Sequence, residues 1–212
     1  MEFNTLLKLV GSDPIFESSL LLAGDVDPKL IRIQLSRWVK SGKIHRLRRG
    51  LYAVAPPYQK QQPHPFLVAN HLQKASYVSL QSALSYYGLI PEVVNITTSV
   101  STGRPERLKT PLGTYEFRHV KQELFFGYRM ISLGEQSAFV ATPEKALLDL
   151  IYLQSGGDKT AYLEELRLQN TGQLDKDLLM EQSEKFKSPK LRTACRNIIR
   201  LISENSSEYE DL

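Results

Sequence analysis

Lys43, Arg46, Arg48 and Arg49 place four fixed positive charges within the seven residues before Gly50, with His45 among them. Guanidinium and ammonium groups at this density suit phosphate, where bidentate and point-charge donors satisfy the same anion. The flanking stretches, 44–47 and 51–55, alternate apolar and polar residues as strands do, so the charges fall at a hairpin tip where Gly50 permits a tight turn. A second set lies just upstream. At about 100° per residue, Lys29, Ile33, Ser36, Arg37 and Lys40 share one arc of a helix, with Arg32 at its edge. Ile31, Leu35, Trp38 and Val39 share the opposite arc. The outward arc carries cations, a hydroxyl and an aliphatic, and no acid for the usual i,i+4 pairing. In a major groove Arg and Lys donate to guanine edges or phosphates, Ser bonds either, and Ile touches a thymine methyl.

Other chemistry is poorly provided for. Glu144 and Asp149 invite a paired-carboxylate reading, but five positions put them about 140° apart on a helix, and Glu144 sits in a first helical turn, where a carboxylate favourably meets the dipole. His45, His64, His71 and His119 show no metal-ligand spacing. The 101–113 stretch, STGRPERLKTPLG, lacks the Gly-x-x-x-x-Gly-Lys pattern of a phosphate loop; it reads as a mobile solvated hairpin loop, with Arg104, Arg107 and Lys109 as an alternative second basic patch. The serines of SLQSALSYYG have no histidine partner, and Tyr77, Tyr86 and Tyr87 read as packing residues. No Asp/Glu/Lys triad clusters along 59–155. The chain is therefore expected not to be an enzyme and to need no metal or cofactor.

Cys195 is the one cysteine, which excludes an intrachain disulfide; its helical setting suggests a half-buried structural thiol. The chain has 212 residues, 42% hydrophobic and 24% charged, ordinary values for a soluble protein with a real core. No apolar run approaches the roughly 20 residues of a membrane span, and the Met1-Glu2-Phe3-Asn4 start lacks the basic and apolar regions of a signal peptide. A cytoplasmic protein without a membrane partner is expected. The net charge is +4, and residues 1–58 hold all of it, with nine Lys/Arg against five Asp/Glu; 59–212 carries 18 of each. Between Pro28 and Pro91 there are ten Lys/Arg and no acid. A field of one sign favours a polyanion such as nucleic acid.

These residues need elements to hold them. Phe3, Leu6, Leu7 and Val10 mark a first short helix closed by Gly11, and IFESSLLLAG predicts a second ending at Gly24. The third has Asp27 as N-cap, Pro28 in the first turn and Gly42 beyond its end. Three helices and a basic two-stranded ribbon are the order of a winged helix-turn-helix, in which Leu47, Leu51, Ala53 and Val54 anchor the ribbon to the helices. The four prolines of 56–65 predict a linker. Helices are then expected in 66–75 and 79–89, strands in 93–100, 113–120, 128–134 and 137–142, and a helix over 142–156 with Thr142 as N-cap. Three weaker helical stretches cover 158–204, and the acidic tail reads as unstructured. The fold class is α+β, with a winged helix-turn-helix at 1–57 followed by a mixed α/β domain with a helical end at 58–212.

The stretches LSRWVKSGKIHRLRRGLYAV, YVSLQSALSYYGLIPEVVNITTSV and VATPEKALLDLIY together resemble the AbiEi family of bacterial antitoxins and transcriptional regulators, over roughly residues 5–155. The most specific parts are the Arg-Arg-Gly-Leu-Tyr turn, the Ser-Ala-Leu-Ser-Tyr-Tyr-Gly-Leu helix end and the Thr-Pro-Glu-Lys-Ala-Leu-Leu-Asp helix start. The resemblance implies a winged helix that binds operator repeats and represses its own operon. It also implies a C-terminal domain that antagonises a nucleotidyltransferase-like toxin without requiring a stable complex, as in type IV systems. On this reading Lys29, Arg32, Ser36, Arg37, Lys40, Lys43, Arg46, Arg48 and Arg49 contact DNA. The alternatives are a standalone regulator without a toxin, or a nuclease or other nucleic-acid enzyme targeted by a winged helix.

Overall fold

The computed structural model describes residues 1–22, 27–92 and 94–210, the side chains of 204–210 excepted. The described residues form a mixed α and β structure with two sheets. Helix α1 (Phe3–Val10) buries Phe3, Leu6 and Val10, and the Gly11 N–H closes it on the Leu7 carbonyl. The helix expected next does not form. Strand β1 (Ile15–Glu17) and a 3-10 turn (Ser18–Leu22) take its place, because Ile15 and Phe16 alternate between two apolar clusters, which only an extended backbone allows. Gly24 lies outside the described residues.

Helix α2 (Pro28–Lys40) starts as its sequence requires: Pro28 occupies the first turn and the Asp27 carboxylate accepts from the Lys29 N–H at 2.8 Å. Ile31, Leu35 and Trp38 are buried. Gly42, at φ 69°, lets the chain leave the helix end and turn into the next strand. Strands β2 (Ile44–Arg48) and β3 (Leu51–Val54) pair antiparallel, and β1 pairs with β3, giving the order β1-β3-β2.

This small sheet is buried on both faces. Phe16, Ile44 and Val54 pack with Phe3, Leu6, Ile31, Leu35 and Trp38, while Ile15, Leu47, Leu51 and Ala53 belong to the large cluster of the rest of the chain. Of the four residues expected to anchor the ribbon to the helices, only Val54 does so. The 56–65 segment is also not a free tether. The Tyr58 ring meets Phe3 edge-on with centroids 4.9 Å apart, and Gln61 Nε2 donates to the Ser12 carbonyl at 3.1 Å. Gln136 donates to the Gln62 carbonyl and accepts from the His64 N–H, both at 2.8 Å.

The second sheet has six strands: β4 (Ser76–Val78), β5 (Ile96–Ser101), β6 (Glu106–Thr110), β7 (Gly113–His119), β8 (Tyr128–Leu133) and β9 (Gln136–Ala141), in the order β6-β7-β5-β4-β9-β8. The β4/β9 and β5/β7 pairs are parallel. Neither β4 nor β6 is among the expected strands. β4 is three residues long, too short to show a period, and β6 reads as a polar loop because a strand at a sheet edge keeps little apolar character.

Among the described residues, six further helices cover the sheet and extend it: α3 (Pro65–Leu72), α4 (Leu80–Tyr86), α5 (Pro143–Leu153), α6 (Thr160–Glu165), α7 (Lys176–Lys185) and α8 (Pro189–Glu210). α5 starts on Thr142, whose hydroxyl accepts from the Lys145 N–H at 3.3 Å. The α8 backbone runs through the acidic stretch expected to lack structure, as far as Glu210; the last two residues lie outside the described ones. Among the described residues no helix is long and apolar enough to cross a membrane.

Candidate nucleic-acid interface

The outward arc of α2 is built by the burial of the inward one. With Ile31, Leu35 and Trp38 seated on the small sheet and α1, the helical period leaves Lys29, Arg32, Ile33, Ser36, Arg37 and Lys40 in solvent. Phe3 holds Trp38 edge-on with centroids 5.4 Å apart, which fixes the roll of the helix. Ile33 is 49% exposed and Leu30 62%, so two aliphatics stand among the cations. Among the described residues no carboxylate pairs with Lys29, Arg32, Arg37 or Lys40. On this face four exposed cations without an acidic partner among the described residues stand beside two exposed aliphatics.

The hairpin divides its basic residues rather than presenting them together. Arg46 stands opposite Tyr52, on the sheet face that carries Ile44 and Val54 and packs on α1 and α2. A bulge between Arg46 and Arg48 reverses the side-chain alternation, and Arg48 stands opposite Leu51 on the other face. There its guanidinium donates to the Leu72 carbonyl at the end of α3. Arg49 is exposed and Gly50 follows it at φ 81°. Lys43 is partly covered, its ammonium 4.9 Å from the Phe3 ring centroid and 6.0 Å from that of Tyr58. Lys43 and Arg48 thus have partners within the chain. The sequence shows no sign of this, because a bulge and a contact made 24 positions away leave no periodic trace.

The 101–113 stretch holds the edge strand β6, which lies against β2. Along β6 Arg107 and Lys109 are exposed while Leu108, between them, turns toward the large cluster. Arg104 is exposed just before the strand. Two basic segments some 60 positions apart in sequence therefore become neighbours.

No protein-family model matches this chain, and no curated protein matches it. The chemistry of its own residues has to carry the reading.

Between 59 and 155 the structure brings a lysine and a carboxylate together as a buried pair, which is not an Asp/Glu/Lys triad. Lys145 and Asp149 form an ion pair on one face of α5, and both side chains are 0% exposed. The Lys145 ammonium donates to the Tyr77 hydroxyl at 2.8 Å. Asp149 accepts from the same hydroxyl at 3.0 Å and from the Ser79 hydroxyl at 2.9 Å. The rings of Phe126 and Phe186 complete the enclosure, their centroids 4.9 and 5.0 Å from the ammonium. Burial pushes the Asp149 carboxyl up and the Lys145 ammonium down, and each is opposed by the charge of the other. Burial also raises the Tyr77 phenol, with Asp149 adding to the effect. Enclosed in this way, the arrangement ties α5 to β4. Its signal was present in the sequence: Lys145 and Asp149 are i,i+4, whereas Glu144 and Asp149 are not. Glu144 is buried too, and accepts from the Asp175 N–H at 3.0 Å, so it holds the start of α7 in place.

The histidines are likewise dispersed. His64 Nδ1 accepts from the Phe66 N–H at 3.1 Å as the N-cap of α3, and His119 Nδ1 lies 2.9 Å from the Gly103 carbonyl.

Proposed function

We propose that this chain is a double-stranded DNA-binding transcriptional regulator whose first 57 residues act as a winged helix-turn-helix, α2 being the recognition helix and the β2–β3 hairpin the wing. The observation that carries the reading is the outward face of α2, where Lys29, Arg32, Ser36, Arg37 and Lys40 are exposed without an acidic partner among the described residues. The element order supports it as well: helix, strand, turn, helix and hairpin around a three-stranded sheet. In this reading α2 enters the major groove, and Arg46 and Arg49 meet phosphates beside it. Arg107 and Lys109 on β6 lengthen the basic track. Lys43 and Arg48, with partners inside the protein, contribute less. The antitoxin role, opposing a nucleotidyltransferase-like toxin without a stable complex, follows from the resemblance to the AbiEi family.

One winged module reads few base pairs, so the target is expected to contain repeats. The test is fluorescence anisotropy of the full chain with the duplex upstream of its own gene, across a salt series. Binding whose logarithm falls linearly with log salt is the expected result, and Arg37→Ala should relax preference at one position at a cost of about 1–3 kcal/mol. No binding to that duplex at low salt would overturn the reading. The sealed surroundings of Lys145 and Asp149 give the nuclease alternative no support.

A further inference from the structure

Two adjoining recesses open where the hairpin meets the large sheet. One, of about 250 Å³, is lined by Glu17, Ser18, Arg48, Arg49, His71 and Lys74, with the Gly50 backbone at its side. The other, of about 350 Å³, shares Glu17, His71 and Lys74 and continues over Leu67, Met130 and Phe139. The first is cationic. Arg48, Arg49 and Lys74 face a single carboxylate, Glu17, and that carboxylate is neutralised by Lys74 at 2.8 Å. Arg48 gives one donor to Leu72 and keeps the rest of its guanidinium. The Ser18 hydroxyl has no hydrogen-bond partner among the described residues. It would lie 3.4 Å from a Cβ at Gly50, so glycine there, besides suiting φ 81°, leaves the hydroxyl and the loop backbone open.

The second recess is apolar. Met130 is 65% exposed and Phe139 44%. Phe139 is held from one side by the edge of Tyr128, with centroids 5.9 Å apart, and its backbone N–H is fixed by Asn70 Oδ1 at 2.7 Å. An aromatic ring set rigidly on a sheet with part of its surface in solvent is a platform for a flat partner. Burial holds the His71 imidazole below its ordinary pKa. The wall common to both recesses therefore offers a ring nitrogen to donate or accept without adding charge.

We propose that this two-part recess binds a purine nucleoside monophosphate or a small phosphorylated molecule of the same shape, its phosphate on Arg48, Arg49 and Ser18 and its ring on Phe139 and Met130. The charge argues for the phosphate: two net positive charges and a free hydroxyl converge on one recess. The adjoining apolar platform argues for the ring. The site shares Arg48 and Arg49 with the proposed wing but uses no residue of α2.

The test is isothermal titration calorimetry of the full chain with adenosine and guanosine monophosphates, with adenosine, inorganic phosphate and a short single-stranded oligonucleotide as comparison ligands. Saturable binding of a monophosphate, at least tenfold tighter than either adenosine or phosphate, is expected. Arg49→Ala and Phe139→Ala should each weaken it at least tenfold, while Phe139→Ala leaves the weak phosphate binding unchanged. Both side chains are exposed, and an unaltered thermal midpoint identifies a folded variant. No saturable binding of either monophosphate overturns the proposal. So does phosphate binding as tight as that of the nucleotide, or binding of the oligonucleotide alone. Duplex binding measured with Arg37→Ala reports on α2 separately, so the failure of one reading is distinguishable from failure of the other.

Discussion

Cys195 lies fully buried on α8, and burial pushes its thiol up to about 11. A protonated, enclosed sulfur is a poor nucleophile. It should resist iodoacetamide near neutral pH in the folded protein and react readily in denaturing guanidinium; modification at the unfolded rate in the native state would contradict the burial. Trp38 is 4% exposed between Phe3 and α2's apolar neighbours, so Trp38→Ala should cost about 3–5 kcal/mol in chemical denaturation. The native protein should show blue-shifted tryptophan emission. Lys145 and Asp149 differ in kind, since what matters there is that each has the other. Asp149→Ala leaves an ammonium buried without a counter-charge and should cost about 3–5 kcal/mol. The Lys145→Met/Asp149→Leu double variant, with no charge left to strand, should lose less than the single one.

At the scale of elements, α2 was legible from its caps and its apolar period, because both are local: Asp27, Pro28 and Gly42 act within a turn of their own positions. The hairpin was legible as a hairpin and misleading as a surface. Its strands alternate between two cores, so Leu47, Leu51 and Ala53 face the large cluster and not the helices, and the bulge sends Arg48 away from Arg46. The wing arginines should accordingly behave unequally. In the salt series, Arg46→Ala should lower duplex affinity on every sequence and reduce the slope by about one, whereas Arg48→Ala should change the slope less. Equal losses would mean that Arg48 leaves Leu72 to reach phosphate.

For the molecule as a whole, the consequence is mechanical. Ile15, Leu47, Leu51 and Ala53 pack in the same cluster as the six-stranded sheet. A salt bridge from Lys74 to Glu17 at 2.8 Å and the hydrogen bonds of Gln61 and Gln136 add contacts along the join. The full chain should therefore unfold in one calorimetric transition, with residues 56–65 resistant to limited proteolysis. A fragment of residues 1–57 would expose the second face of its sheet and should be poorly soluble. Two resolved transitions, or a stable soluble fragment, would show that the shared face contributes little.

The sequence by itself determined what local physics controls. It gave the start of α2 and α5 on Asp27 and Thr142, the polar and apolar arcs of α2, the strands long enough to show a period, and the confinement of excess positive charge to the first 58 residues. Only the tertiary structure decided which cations have partners, that β6 lies beside β2, and that Lys145 and Asp149 are sealed beneath Tyr77. It also decided that Arg48, Arg49 and Ser18 share a recess near Phe139. Caps and periods are written within a few residues of the element they specify. Burial, pairing and recesses arise from contacts between segments tens of positions apart, and a single sequence carries no record of which segments meet.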